Sequence, residues 1–390
     1  MWLFSSLIVL LVYTGMNIYS GIRIFWLFRF FSLPLRAFVF WPVYIVFSFS
    51  YIFIFLLRLD RFPPLRQVGM YSLPALVYLF LAILALDLVR LVFRLFNRAP
   101  FSPAQNAADT GIAVCLTVLV MIYGAFHARD IGTVHYNVSL KKGGAMPPLR
   151  LTLISDLHIG TTVNLKWVAG IVDTVNRTEP DIICIAGDLF DSNIAALPKA
   201  EGIAEELRRL KAPLGVYACQ GNHDVDRLSP WEGSGTEQIQ KFLENAGISF
   251  LQDEVIIIDG RFYLAGRRDA SNRRFDSTGE RLKRKTADEL FAGLDKSRPL
   301  IVLDHQPVDF GREEEAGADL VLSGHTHKGQ FFPGNIATKR IFKKSGAVHY
   351  GYWQGRSAQA VVSSGAGVWG PPVRIATRSE VAVVHVAFGE

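Results

Sequence analysis

Residues 1–130 contain four long apolar stretches without a single Lys, Arg, Asp or Glu, and no other feature limits the fold of this chain as strongly. They run from Trp2 to Gly21, Ala37 to Leu57, Gln67 to Leu86 and Gly111 to Ala128. A bilayer core accepts about 20 apolar residues in helical form, because in hydrocarbon each peptide group must find its partner inside the helix. The spacing therefore predicts a bundle of about four transmembrane helices over 1–130. The first stretch has no basic leader and no small-residue cleavage site, and three more follow it, so it reads as a span and not as a signal peptide. Pro42 makes the second the candidate for a re-entrant or interfacial segment.

The charge of the chain follows the same division. Residues 1–130 carry ten Arg, no Lys, no Glu and four Asp (Asp60, Asp87, Asp109, Asp130), while the remaining residues carry 31 basic and 31 acidic side chains. The net charge of +6 thus belongs wholly to arginines that flank apolar segments, where they anchor helix ends. No nucleic-acid partner is expected from it. With four spans, Arg23, Arg29, Arg36, Arg90, Arg94 and Arg98 fall on one side and Arg58, Arg61, Arg66, Arg129, Lys141 and Lys142 on the other, an even division. An uncharged N-terminal tail before a basic loop leans toward an outward-facing C-terminal domain. Asp87, Arg90 and Arg94 close the third segment at helical spacing, which suits snorkelling and local pairing. The three cysteines show no CxxC and read as small buried hydrophobes.

The composition then changes. Lys141, Lys142, Gly143, Gly144, Pro147 and Pro148 mark residues 131–148 as a linker or a short edge hairpin. From Leu149 a repeating pattern begins: a short apolar run ends in polar residues. Leu149–Ile154 ends in Ser155-Asp156, Asp181–Ala186 in Gly187-Asp188, and Leu214–Cys219 in Gly221-Asn222-His223-Asp224. Leu300–Leu303 ends in Asp304-His305, and Leu320–Leu322 in Ser323-Gly324-His325. Amphipathic stretches at Leu165–Val175 and Ala200–Leu210 predict helices between the early strands. The reading is an α/β domain over 149–390 with carboxylates, imidazoles and an amide beyond the carboxyl ends of its strands, where open α/β sheets place their ligands.

Five motifs carry the chemistry in order: Asp156-Leu157-His158, Gly187-Asp188-Leu189-Phe190-Asp191, Gly221-Asn222-His223-Asp224, His305 in Leu303-Asp304-His305-Gln306-Pro307, and Gly324-His325-Thr326-His327. Five of the nine histidines lie in them. As an ordered set they resemble the calcineurin-like metallophosphoesterase superfamily, in its membrane-associated branch. The resemblance implies an αββα-type sandwich that hydrolyses a phosphodiester or pyrophosphate bond. It implies two divalent ions (Mn, Fe or Zn), with a hydroxide between them as the nucleophile. By the family pattern, Asp156, His158 and His327 bind one ion, Asp188 bridges, and Asn222, His305 and His325 bind the other. His223 resembles the histidine that contacts the phosphoryl oxygen or protonates the leaving group, with Asp224 orienting its ring. Gly365, Gly367, Gly370 and Arg374 resemble a C-terminal signature of that branch. Arg374, and Lys328 where that branch often has Gly, are candidate substrate contacts, with a structural ion pair as the alternative for the first and a solvated side chain for the second.

A basic cluster, Arg267, Arg268, Arg273, Arg274, Arg281, Lys283, Arg284 and Lys285, reads as a solvated face balanced by nearby acids, with a contact to an acidic headgroup or nucleotide phosphates as the alternative. The bilayer anchor implies a multi-pass protein of the cell membrane and a phosphate-containing substrate, with a lipid-linked one as the candidate. The branch includes enzymes similar to UDP-2,3-diacylglucosamine pyrophosphatases. The rival reading is a catalytically weak membrane receptor or scaffold that uses the metal domain for binding.

Overall fold

The computed structural model describes residues 2–57, 62–97, 102–144, 146–191, 194, 197–224, 236–271 and 283–389. Arg58, Arg61, Arg98, Arg273, Arg274 and Arg281 lie outside them. The chain divides into two compact units, Met1–Phe126 with Gly370–Pro372 and His127–Trp369 with Val373–Glu390.

The first unit is helical: α1 (Trp2–Phe30), α2 (Ala37–Ser48), α3 (Ser50–Leu56), α4 (Pro63–Asn97) and α5 (Pro103–His127). Phe40, Tyr44, Leu76, Leu79, Ile83 and Ala113 pack into its core. The outward faces are also apolar, with Leu11, Val12, Phe38, Leu95 and Phe96 exposed. Among the described residues three helices, not four, are long and apolar enough to cross a membrane: Leu7–Phe30, Pro64–Phe96 and Pro103–His127.

The second apolar stretch breaks at Phe49 into α2 and α3. Side-chain hydroxyls take backbone carbonyls at the break: Ser50 Oγ donates to the Phe47 carbonyl and Tyr13 OH to the Ser48 carbonyl, both at 2.7 Å. Such competition bends helices. The 12 residues of α2 reach only about 18 Å. The charges at the end of the third stretch lie inside α4, and two of them are paired. Asp87 meets Arg23 of α1 at 2.8 Å, and Arg90 bonds Asp109 of α5.

The second unit is a sandwich of two six-stranded sheets with helices outside. One sheet has the order β1-β12-β2-β3-β4-β5, built from β1 (Gly132–Gly143), β2 (Leu149–Ile154), β3 (Ile182–Ala186), β4 (Val216–Cys219), β5 (Ser249–Leu251) and β12 (Glu380–Gly389). The other has the order β10-β11-β9-β8-β7-β6, from β6 (Glu254–Ile258), β7 (Phe262–Gly266), β8 (Leu300–Leu303), β9 (Leu320–Ser323), β10 (Gly351–Gln354) and β11 (Gln359–Val362). Strands β2, β3 and β4 run parallel, as do β7, β8, β9 and β11.

Alternate side chains point to opposite faces of a strand, and this sorts the core. Leu151, Leu153, Ile182, Cys184 and Ala186 of the first sheet meet Leu264, Ile301, Leu303, Leu320 and Leu322 of the second. Ile154, Ile183, Ile185 and Val216 face outward against α6 (Leu165–Asn176), α7 (Ala200–Leu207) and α8 (Thr236–Asn245). On the far side, Val302, Val321 and Val362 pack on α9 (Ala287–Leu290) and α10 (Phe310–Ala316). Burial on both faces explains why the strands read as unbroken apolar runs. Cys184 and Cys219 are buried among them as free thiols.

Residues 131–148 correct the linker reading. Gly132–Gly143 forms β1, the edge strand paired parallel to β12 from Gly132↔Glu380 to Gly143↔Gly389. Val138 and Leu140 turn into the core between the sheets.

The described part of the basic cluster is divided: Lys283 and Lys285 are exposed, as a solvated face would be, but the arginines are drawn inward. Arg267 is buried, its Nη1 lying 2.6 Å from Glu313 and 3.4 Å from Asp304. Arg284 also bonds Asp304, and the backbone amides of Arg268 and Lys285 donate to the Asp253 carboxylate.

Candidate metal centre

The carboxyl ends of β2, β3, β4, β8 and β9 meet at one edge of the sandwich and carry the motif residues there. Their loops are tied to one another through backbone. Asp156 N donates to Gly187 O, His158 N to Asp188 O, and Gly324 N to His305 O, each at 3.0 Å. The fit leaves no room for side chains at the crossings. A Cβ on Gly221 would sit 2.1 Å from Asp188 N and 2.2 Å from its Oδ1, and one on Gly367 2.1 Å from the Leu157 carbonyl.

All seven expected ligands converge in two groups. In the first, His158 Nε2 lies 3.0 Å from His327 Nε2, and His327 Nε2 lies 3.5 Å from Asp156 Oδ1. In the second, His305 Nε2 lies 3.2 Å from each of Asp188 Oδ2, Asn222 Oδ1 and His325 Nδ1. Asp188 stands between them, 3.6 Å from His158 Nε2, while its Oδ1 accepts from the His223 amide at 2.8 Å.

These contacts bring atoms that can each offer a lone pair to a cation within reach of one point. His305 Nδ1 donates to the Ala186 carbonyl at 2.8 Å, which leaves Nε2 as the ring's open donor atom. It faces two oxygen acceptors and another imidazole. Two atoms each about 2.1 Å from one ion stand roughly 3.0–3.4 Å apart, the spacing seen in both groups. Carboxylate, imidazole and amide donors without thiolate suit Mn, Fe or Zn. The residues present therefore fit divalent metal.

The electrostatics agree. Burial pushes the pKa of His158 down to about 3 and that of His325 to about 4, and holds His327 well below its usual value, so the rings are neutral donors. Burial raises Asp156 to about 6. His305 and Asp188 differ: their mutual attraction outweighs burial, raising the histidine and lowering the carboxyl, so His305 keeps a proton toward Asp188 that a divalent ion binding there would displace. Five of the seven, Asp156, His158, Asp188, His325 and His327, have positive φ between 46° and 72°. Left-handed backbone at non-glycine residues is a strain that clusters at functional sites.

The flanking residues depart from the expectations in three places. Asp224 does not touch the His223 ring: its oxygens accept from the amides of Phe190 at 3.1 Å and Gly221 at 2.8 Å, pinning two motif loops together. The residue that faces His223 is Asp191. Its carbonyl lies 3.4 Å from His223 Nδ1, and its side chain groups with His158 and His223 as a third set of donors. The second Asp of the Gly-Asp-x-x-Asp motif was the signal for it. Arg374 is fully buried and turned from the mouth of the site. It donates to the carbonyls of His327 at 3.0 Å, Ser364 at 2.7 Å and Gly367 at 2.8 Å, so it is a backbone brace and not a substrate contact. Lys328 stays at the mouth, its Nζ 3.8 Å from the centre of the Tyr350 ring. Trp369, half exposed beside His223 with ring centres 6.0 Å apart, is a wall that pattern reading missed.

The profile of the calcineurin-like phosphoesterase family matches residues 149–329. An uncharacterized metallophosphoesterase of Helicobacter pylori is 33% identical over 239 residues, 61% of this chain and 60% of the relative. A transmembrane protein with metallophosphoesterase domain from Danio rerio is 31% identical over 283 residues, 70% of this chain and 61% of the relative. The match thus spans about 60% of the length of these two relatives. An uncharacterized metallophosphoesterase of Campylobacter jejuni is 27% identical over 403 residues, 99% of this chain and 98% of the relative. The profile thus marks a calcineurin-like phosphoesterase domain over residues 149–329, and all seven candidate ligands lie within that segment.

Proposed function

We propose that this chain is a multi-pass membrane protein whose C-terminal unit hydrolyses a phosphodiester or pyrophosphate bond with the help of two divalent ions. The observation that supports it most directly is the convergence of Asp156, His158 and His327 on one side of Asp188 and of Asn222, His305 and His325 on the other. Bound there, divalent ions would neutralise the phosphoryl oxygens and make a water acidic enough to attack at neutral pH.

The protein's own groups do the rest. Asp188 sits between the two donor groups. His223 is anchored by its amide on Asp188 and faces the opening with Trp369, where it can contact a phosphoryl oxygen or pass a proton to a leaving group. Lys328 supplies positive charge at the mouth. An apolar helical unit on the same chain favours a lipid-linked substrate, of the kind a nucleotide-sugar lipid pyrophosphate represents. The intact donor set favours catalysis over a receptor role.

The test is turnover by the full chain, purified in detergent and loaded with Mn, against an aryl phosphodiester, an aryl monoester and a UDP-sugar lipid pyrophosphate. Metal-dependent turnover should fall by roughly a thousandfold or more in Asp188→Ala. Failure of the wild-type chain to bind metal in a direct metal assay would sink the reading.

A further inference from the structure

Between Asp319 and Glu380 the chain has no acidic residue and eight basic ones, in a unit that is otherwise balanced. Five of the eight are gathered in one place. Lys339, Arg340, Lys343 and Lys344 lie on α11 (Gly334–Lys344), and Lys328 lies on the loop before it. The other three are elsewhere: Arg374 braces backbone, and Arg356 and Arg378 pair with Glu315 and Asp130. Among the described residues, none of the five faces a carboxylate within ion-pair distance.

Helix α11 has no buried residue. Its inner side rests on the site, with the Phe342 ring 6.3 Å from that of His325 and 6.5 Å from that of His349. Its basic side lines a cavity of about 660 Å³ with Lys328, His349 and Tyr350. His349 reports the local field: burial first, then Lys328 and Lys339, hold its pKa below the usual histidine value. Apolar side chains stand among the charges, with Phe332, Ile336 and Ile341 39%, 41% and 64% exposed. A stable water-facing helix would have little use for them. Cationic side chains interleaved with exposed apolar ones are the composition of a helix that lies in the headgroup layer of a bilayer. A bilayer is also within reach along the chain, because only residues 128–131 separate α5 from β1.

We propose that α11 and Lys328 form an interfacial element that docks on anionic phospholipid, holding headgroup phosphates in the basic cavity beside the metal ligands. This rests on the reading that the chain is membrane-held, but not on its catalytic activity. Docking would bring lipid-linked phosphoesters to the mouth of the site and make surface charge a determinant of access.

The experiment is amide hydrogen exchange over 334–344 in the full chain, reconstituted in nanodiscs. The discs contain either phosphatidylcholine alone or phosphatidylcholine mixed with phosphatidylglycerol. Exchange in α11 should slow by roughly tenfold with the anionic lipid. The protection should vanish at high salt and in the Lys339→Gln/Lys343→Gln variant. A third arm adds inorganic phosphate to the phosphatidylcholine discs. Equal exchange in both kinds of disc would overturn the proposal, and so would full protection by phosphate alone. Because the readout is not turnover, an inactive preparation that still shows lipid-dependent protection would refute the catalytic reading and leave this one standing.

Discussion

Arg374 offers the sharpest test of how the site is held. The sequence leaves it open between an anion contact and a structural ion pair, whereas the structure buries it completely and aims it at backbone carbonyls. Nη1 serves His327, while Nη2, with two hydrogens, serves Ser364 and Gly367, with Gly365 a longer fourth contact at 3.3 Å. Arg374→Met would leave the buried carbonyls of Ser364 and Gly367 without a donor, at about 1–3 kcal/mol each, while the His327 carbonyl keeps the Gln330 amide. Part of that is returned because a buried cation disappears, and burial already lowers the arginine pKa to about 10. A net loss of about 3 kcal/mol follows, which in a domain of this size lowers Tm by roughly 6–12 °C. The assay is thermal unfolding of the full chain in detergent, followed by circular dichroism at the sheet band, beside KM and kcat for a hydrolysed aryl phosphodiester. A Tm within about 2 °C of wild type, together with a rise in KM of about tenfold at constant kcat, would show that Arg374 binds substrate and that the bracing argument is wrong.

Two further predictions follow from the same packing. Gly221→Ala should force the Asp188 loop aside at a cost of about 1–3 kcal/mol and weaken metal binding measured by calorimetry, while unchanged metal affinity would contradict the loop contact. Glu313 is buried and close to Asp304. Burial first and that carboxylate second raise its pKa to about 8 against the attraction of Arg267. The folded chain thus holds a proton that the unfolded chain releases above its ordinary value of 4.5. The stabilisation is complete below that value and is lost as pH rises through about 8. Denaturant titrations should show wild type losing a few kcal/mol relative to Glu313→Gln across this window, and parallel pH curves for the two proteins would refute it.

The parts of this protein that were legible in its sequence are those where one residue type has one use. Apolar runs stopped by Asp, Asn or His marked β2, β3, β4, β8 and β9, and the donors at their ends meet as the motif order implied. The parts that were not legible involve competing signals. In β1 the alternation of Val134, Tyr136, Val138 and Leu140 was present, but Gly143, Gly144 and the two prolines beyond it dominated the reading. The second apolar stretch has span length, yet hydroxyls from Tyr13 and Ser50 take carbonyls at its centre. Asp224 and Asp191 are both motif carboxylates, and only the turn of the loops decides which one faces His223. Arg267 has the composition of a surface charge and pairs instead with Glu313, 46 residues away.

The positive φ angles at the metal ligands have a consequence for which substitutions the site can accept. Asp, Asn and His are the non-glycine residues most often found in left-handed backbone, and they are also common donors to divalent ions. At Asp156, His158, Asp188, His325 and His327 the backbone and the chemistry therefore select the same few side chains, each for its own reason. A replacement such as Glu or Gln keeps an oxygen donor but gives up conformational tolerance, while Gly keeps the tolerance and gives up the donor. Ligand exchange at these positions is thus restricted twice over, and variation is free to accumulate instead in the walls around them, at Lys328, Trp369 and the basic face of α11.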